Sequence, residues 1–416
     1  MRVLLTNTGP WGTGSGMVAE GVLEALRQRG HQAILFFPDA QIDTPEKHHY
    51  YSQPDLYRIW RFPVEREGRV LPTFPLMIPD PNPRSGPEAW TFRDLSDELL
   101  EFYFQEARRE LQEVIDGFRP DVVECQHIWT IPYLISELGL PYVVTAHHSD
   151  QMGYRYDRRM QAYANRAAAG ARWIFAVSEF SQREVLDLYP GIQPEKVVVL
   201  ENGYNQRIFR RRRVSRAHTL RALGIGDIPR LPIITFSGKI SHTKGVDILL
   251  RANRLVQRGQ KALLVIAGTG QLEREFSAEE RGDFHLENVW FVGHQPQSVV
   301  AQLHNLATVS VIPSREEGFG LAALEAMGCA TPVVSTRCGG PEMFVVGATV
   351  PVGSVEELAA ALLELLTLEA GAARDLRQAA LEKAQCYSWE RLVERRLHNY
   401  RQMLNPAAAD VSGDSI

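Results

Sequence analysis

In the stretch "PSREEGFGLAALEAMG", Pro313 to Gly328, Glu317 and Glu325 stand eight residues apart around Gly318, Phe319, Gly320 and Leu321. The two glycines bracket a helix start, where backbone N–H groups can hold an anion. Glu317 falls just outside that helix and Glu325 about a turn and a half inside it. Carboxylates accept hydrogen bonds from vicinal hydroxyls, so the pair suits a ligand with phosphates at the helix start and a sugar or ribose at each end. The neighbours in "LAALEAMG" are nearly all apolar or small, which places buried surface beside Glu325. Upstream, "SGKISHTKGVDILL" sets Lys239 and Lys244 between a strand and an amphipathic helix, two ammonium groups suited to a diphosphate. It is not a P-loop, because Ile240 stands where Ser or Thr would bind magnesium. The turn "AGTGQ", with Gly268 and Gly270, is a second, weaker phosphate-friendly loop.

The first half carries a parallel set. "GPWGTGSGM" places Gly12, Gly14 and Gly16 in a strand-to-helix turn. A dinucleotide fingerprint needs a third glycine where Met17 stands, which weakens an NAD reading against a helix start whose N–H groups face an anion and against a plain tight turn. In "TAHHSD" two adjacent histidines end a strand and cannot both face the same way, so His147 or His148 is the candidate for a sugar or phosphate contact. Asp-x-Asp, H-E-x-x-H and G-x-S-x-G are all missing, and no metal or other cofactor is expected.

The elements that must position these groups follow from apolar runs alternating with helical patterns, the mark of an α/β protein with parallel sheets covered on both faces. Strands are expected at "RVLLTN", "AILFF", "DVVECQ", "YVVTAH", "WIFAVS" and "VVVLEN", then at "IITFSG", "LLVIAG", "VWFVG", "VSVIPS" and "PVVST". In such sheets ligands bind beyond the carboxyl ends of the strands, where the candidate residues fall. An arginine-rich polar stretch after Gly203 separates the two series. The expected domains are 1–203, completed by a C-terminal helix at 388–404, and 204–387, with 405–416 a disordered tail. The segment Gln41 to Trp90, rich in proline and aromatics, has no clear period; Trp60, Phe62, Phe74 and Trp90 argue for a packed insertion.

The chain has 416 residues, 44% hydrophobic and 23% charged, the profile of two ordinary globular domains. A net charge of −5 argues against a nucleic-acid partner. Cys125, Cys329, Cys338 and Cys386 show no pairing pattern, the N-terminus has no signal-peptide core, and no run of about 18 apolar residues occurs. A cytoplasmic protein is expected, at most peripheral to the inner face of a membrane. The run Arg207 to Arg216 reads as an exposed interdomain linker, with an anionic-lipid patch as the alternative.

Together these motifs resemble the GT4 family of retaining glycosyltransferases, over nearly the whole chain. The resemblance rests on the E-x7-E motif Glu317 to Glu325, "GKISHTK", "TAHHSD", "ENGYNQRIF", the glycine-rich first turn and "CYSWERL". It implies the GT-B architecture of two facing Rossmann-like domains and transfer of a sugar from a nucleoside diphosphate sugar to an acceptor hydroxyl. UDP-sugars are favoured and GDP-mannose is the other candidate, with no acceptor or oligomeric state indicated. It implies catalytic roles for His147 rather than His148, Lys239, Lys244 and Glu317. The implied donor contacts are Gly14, Gly16, Gly268, Gly270, His294, Gly318, Phe319, Gly320, Leu321 and Glu325. Lys239 stands where the family more often has arginine, keeping the charge without the bidentate fork. Sugar-nucleotide epimerisation, phosphorolysis, or binding without catalysis are the rival readings.

Overall fold

Runs of Val, Ile and Leu become strands buried on both faces, and the computed structural model, described for residues 1–40, 47–79, 90–226 and 230–405, places them in two compact units. The first is Met1–Asn202 with the segment from Trp389; the second is Gly203–Ser388.

The first unit holds β1 (Arg2–Asn7), β2 (Gln32–Ala40), β3 (Tyr57–Phe62), the hairpin β4 (Val64–Arg66) and β5 (Arg69–Leu71), then β6 (Val122–Gln126), β7 (Tyr142–Ala146), β8 (Ile174–Ala176) and β9 (Val197–Val199). Its seven-stranded sheet runs β3-β2-β1-β6-β7-β8-β9, parallel throughout. The order reverses direction between β1 and β6, which opens a crevice at their carboxyl ends. Helix Asp97–Phe118 covers one face through Leu100, Phe102, Tyr103, Ala107 and Leu111, capped by the Ser96 hydroxyl. The C-terminal helix Trp389–Leu404 returns to this unit, burying Leu392, Val393, Leu397 and Tyr400. Gly21 makes room for it, since a Cβ there would lie 2.2 Å from Trp389 Nε1.

The second unit holds β10 (Ile233–Ser237), β11 (Leu263–Ala267), β12 (Val289–Gly293), β13 (Val309–Ile312), β14 (Val333–Thr336) and β15 (Gly347–Val350). They form a parallel sheet in the order β12-β11-β10-β13-β14-β15. Its reversal falls between β10 and β13, so the loops following those two strands are neighbours. The amphipathic helix Val246–Gly259 buries Ile248, Leu249, Leu250, Ala252 and Val256 against the sheet.

Three features depart from the sequence expectation. Within Gln41–Trp90, the stretch "YRIWRF" pairs with β2 as edge strand β3, and a short hairpin follows it. Trp60, Phe62 and Phe74 are buried and Trp90 packs against the same core. At about 1.5–3 kcal/mol for burying a large apolar side chain, these anchor the segment firmly. Residues 41–46 and 80–89 lie outside the described residues, as do 406–416 of the expected tail. Strand β15, "GATV", was also not anticipated; it is short, part-exposed and begins with glycine, so it carries no apolar run.

The arginine run is not a loose tether. Phe209 is buried, and Asn305 bonds the chain on both sides, accepting from Arg212 N at 2.6 Å and donating to the Arg210 carbonyl at 3.0 Å. Arg207 and Arg210–Arg213 remain exposed. Among the described residues, no helix is long and apolar enough to cross a membrane.

Candidate functional site

In the second unit the reversal of strand order brings "GKISHTKG" and "PSREEGFG" side by side. Lys244 Nζ lies 2.7 Å from Glu317 Oε1, and the Ser314 hydroxyl donates to the same oxygen at 3.0 Å. Arg315 clamps the two loops further, meeting Asp247 bidentately at 2.8 and 2.9 Å and taking the Thr243 carbonyl through its own N–H at 2.8 Å. Burial alone would raise the Asp247 carboxyl; the Arg315 guanidinium, His242 and Arg251 outweigh it and hold it below its ordinary value. Gly245 closes the approach: it adopts φ 66°, and a Cβ there would lie 1.9 Å from the Pro313 carbonyl oxygen.

Helix Leu321–Gly328 starts from Gly320 in the left-handed region, φ 94°. The amides of Phe319, Gly320, Leu321 and Ala322 take no hydrogen bond among the described residues, so the helix start is open to an anion. Just before it, Glu317 is pinned as a short bridge to the chain after β14, its N–H donating to the Cys338 carbonyl at 2.8 Å and its carbonyl accepting from Gly340 at 2.9 Å. Inside the helix, Glu325 keeps part of its surface exposed, and its carboxyl has no hydrogen-bond or ion-pair partner among the described residues. Desolvation by the packed atoms around it pushes its carboxyl up to about 8. A carboxyl in that state gains from any ligand that brings hydroxyl donors to it.

The other expected donor residues divide. Gly268 and Gly270 serve the scaffold: a Cβ on Gly268 would meet the Gly238 carbonyl oxygen at 1.6 Å, and one on Gly270 the Ile240 carbonyl oxygen at 2.6 Å. The Phe319 ring is buried against Phe344, centroids 4.9 Å apart, leaving its backbone amide as the group it offers a ligand. Lys239 lies on the same loop as Lys244. His294 follows β12, and its neighbour Gly293 accepts from Gly268 N at 2.9 Å, which sets it beside the turn packed on the Gly238–Ile240 backbone.

In the first unit, Thr13 caps helix Gly14–Gln28 and accepts from Gly16 N at 3.2 Å. The Gly16 amide is therefore engaged, while those of Gly14 and Ser15 have no partner among the described residues. Beyond β7, His148 turns inward with Nδ1 2.6 Å from Glu184, whose other oxygen accepts from Arg155 at 2.8 Å. His147 is part-exposed, its Nε2 2.7 Å from Gln126 Oε1 and its ring 5.1 Å from that of His127. Desolvation, then His127 and Arg396, hold His147 well below its ordinary pKa, so the imidazole is neutral at neutral pH.

Sequence reasoning passed over several residues that build these loops. Asp150 accepts from His147 N at 2.9 Å and Ile128 N at 2.8 Å, tying the β6 and β7 loops together. His127 is buried with φ 77°, a left-handed geometry rare for a side chain of that size. Its signal in the sequence is its place directly after β6, at a strand end like the other candidates. Arg315 gave no signal, because its partner Asp247 is distant in sequence. Among the described residues no group of three or more His, Cys, Asp or Glu is gathered as a metal site would require.

Residues 12–207 match the family described as Glycosyltransferase Family 4, and residues 231–368 the one described as Glycosyl transferases group 1. A stretch of 291 residues is 30% identical to the alpha-maltose-1-phosphate synthase of Mycolicibacterium smegmatis, covering 64% of this chain and 74% of that protein. The chain belongs to glycosyltransferase family 4. The D-inositol 3-phosphate glycosyltransferase of Kribbella flavida is 32% identical to this family 4 chain over 251 residues, 57% of the chain and 58% of the relative's length. Among solved structures, sucrose-phosphate synthase from Thermosynechococcus elongatus superposes with a TM-score of 0.71 over 98% of this chain and 100% of that one, at 19% identity. HepE of Anabaena, solved in complex with UDP and glucose, gives 0.69 over 97% and 100%, at 17% identity. These establish the GT-B fold, with its two Rossmann-like parallel-sheet domains.

Proposed function

We propose that this family 4 protein is a retaining glycosyltransferase that moves a hexosyl unit from a nucleoside diphosphate sugar to an acceptor hydroxyl. The observation that carries the reading is Glu325: a desolvated carboxyl without a partner, on a helix whose first amides are open, beside the Lys244–Glu317 pair. Such a constellation suits a ribose at Glu325, a diphosphate at the helix start and Lys244, and a sugar at Glu317. The transition state joins a developing oxocarbenium to a departing diphosphate, so stabilising the leaving-group charge is the main task. Lys239, Lys244 and the helix-start amides supply that charge without calling on a metal. Retention follows the family resemblance, in which the acceptor attacks the face the diphosphate leaves and the donor phosphate takes its proton. His147, neutral, serves as a hydrogen-bonding group for a sugar hydroxyl.

A UDP-sugar is the donor we favour, supported by the fold shared with HepE, whose structure holds UDP and glucose. The relatives' names carry inositol 3-phosphate and maltose 1-phosphate, which makes small phosphorylated polyols and sugars the first acceptors to try. A thermal-shift screen of UDP, GDP and their sugars should single out one nucleotide by a raised melting temperature. Transfer to an acceptor, with the anomeric configuration kept and EDTA without effect, is the expected product result. Full activity in both Lys244→Ala and Glu317→Ala would sink the assignment. Donor turnover without acceptor would point to epimerisation instead.

A further inference from the structure

Within the first unit a chain of contacts runs from a buried carboxylate to His147. Glu124, fully buried in β6, is surrounded by four donors: Gln126 Nε2 at 3.0 Å, Thr145 Oγ1 at 3.1 Å, Arg396 Nε at 3.5 Å and the Tyr400 hydroxyl. Convergence of four donors, one of them a guanidinium, leaves its oxygens the role of acceptors. Gln126 must then turn its NH2 toward Glu124 and its carbonyl oxygen the other way. That oxygen meets Nε2 of His147 at 2.7 Å. Two acceptors cannot share a hydrogen bond, so Nε2 carries the proton and Nδ1 the lone pair.

We propose, building on the glycosyltransferase reading, that Gln126 is a positioning residue: oriented by Glu124, it locks His147 as the neutral Nε2–H tautomer and keeps Nδ1 as an acceptor for a substrate hydroxyl. The charged and titratable groups near His147 agree with that state. On its own segment, Asp150 is occupied by the His147 and Ile128 amides. From the β6 loop the His127 ring lies 5.1 Å away, and from the C-terminal helix Arg396 adds positive charge. Both oppose a proton on Nδ1.

The anchor of this relay is costly in a way that speaks for a positioning role. Arg396 is fully buried, and its Nη1 and Nη2 have no acceptor among the described residues. A buried ion pair of this kind is often no more stable than well-packed apolar residues of the same volume. What it does provide is a fixed orientation for Glu124, and so for the Gln126 amide.

Imidazole ¹⁵N NMR on the full-length protein reads the tautomer directly, without turnover. The expected wild-type result is a His147 protonated on Nε2 and bare on Nδ1 at neutral pH. In Gln126→Leu the two tautomers mix, and kcat falls roughly tenfold, more than donor KM changes. Gln126→Glu sets a second carboxyl against Glu124, so the two share one proton: the protonated carboxyl donates to Glu124 as the amide did, accepts from His147, and keeps the Nε2–H tautomer and most of kcat. Protonation on Nδ1 in the wild type, or a His147 that keeps a single Nε2–H tautomer in Gln126→Leu, overturns the proposal. The predicted tautomer in a protein that transfers sugar to no acceptor would overturn the glycosyltransferase reading and leave the tautomer lock standing.

Discussion

Glu325 holds its proton at neutral pH in the unliganded protein, because desolvation moves its carboxyl from 4.5 to about 8. Between those values the folded chain keeps a proton that the unfolded chain releases, so this group's contribution to stability falls as pH rises. Glu325→Gln removes that dependence: its melting temperature should gain on the wild type between about pH 5 and about pH 8. Hydroxyl donors of a bound ribose favour the anion, so donor binding should release a proton near neutral pH. Titration calorimetry in buffers of different ionisation enthalpy should show that release, and Glu325→Gln should abolish it together with roughly tenfold of the affinity. Lys244→Ala should weaken nucleoside diphosphate binding by about 10- to 100-fold, the loss of a charge-assisted contact. Its melting temperature should change little, since a part-exposed pair such as Lys244–Glu317 is worth about 1 kcal/mol or less. The same residue types were visible in the sequence; the pairing of Lys244 with Glu317 was not, because 73 positions separate them.

At the scale of elements, the loops after β10 and β13 act as one piece held by Gly245, Arg315 and Asp247. Gly245→Ala combines a left-handed φ of 66° with a Cβ 1.9 Å from the Pro313 carbonyl. It should cost about 3 kcal/mol or more and weaken diphosphate binding through the displaced loop, as thermal unfolding and calorimetry would show. The central strands were legible because burial on both faces demands continuous apolar runs, as in β6 and β11. Edge strands lack that demand. β3 buries Tyr57, Trp60 and Phe62 but leaves Arg58, Ile59 and Arg61 exposed or part-exposed inside a proline-rich segment, and β15 is half open to solvent. The glycines of "AGTGQ" read as a phosphate loop, yet their smallness serves the Gly238–Ile240 backbone packed on them. Sequence spacing cannot separate those two uses of a glycine.

Over the whole molecule, the C-terminal helix belongs to the unit formed by the chain's first half, and Arg396 and Tyr400 bury themselves on Glu124. Arg396→Met should destabilise that unit by about 3–5 kcal/mol, because it leaves Glu124 buried without its cation. Hydrogen exchange should then quicken in β6 and β7 and stay unchanged in β10 and β13. The sequence alone determined the α/β class, the two series of strands, the placing of Glu317, Lys244 and His147 in the turns after strands, and that of Glu325 inside a helix, since each depends on local pattern. Only tertiary structure decided that Lys244 meets Glu317, and that His148 turns to Glu184 while His147 meets Gln126. Those outcomes depend on which strands neighbour one another. A parallel sheet sets that order through crossovers dozens of residues long, whose pairings leave no local mark on the chain.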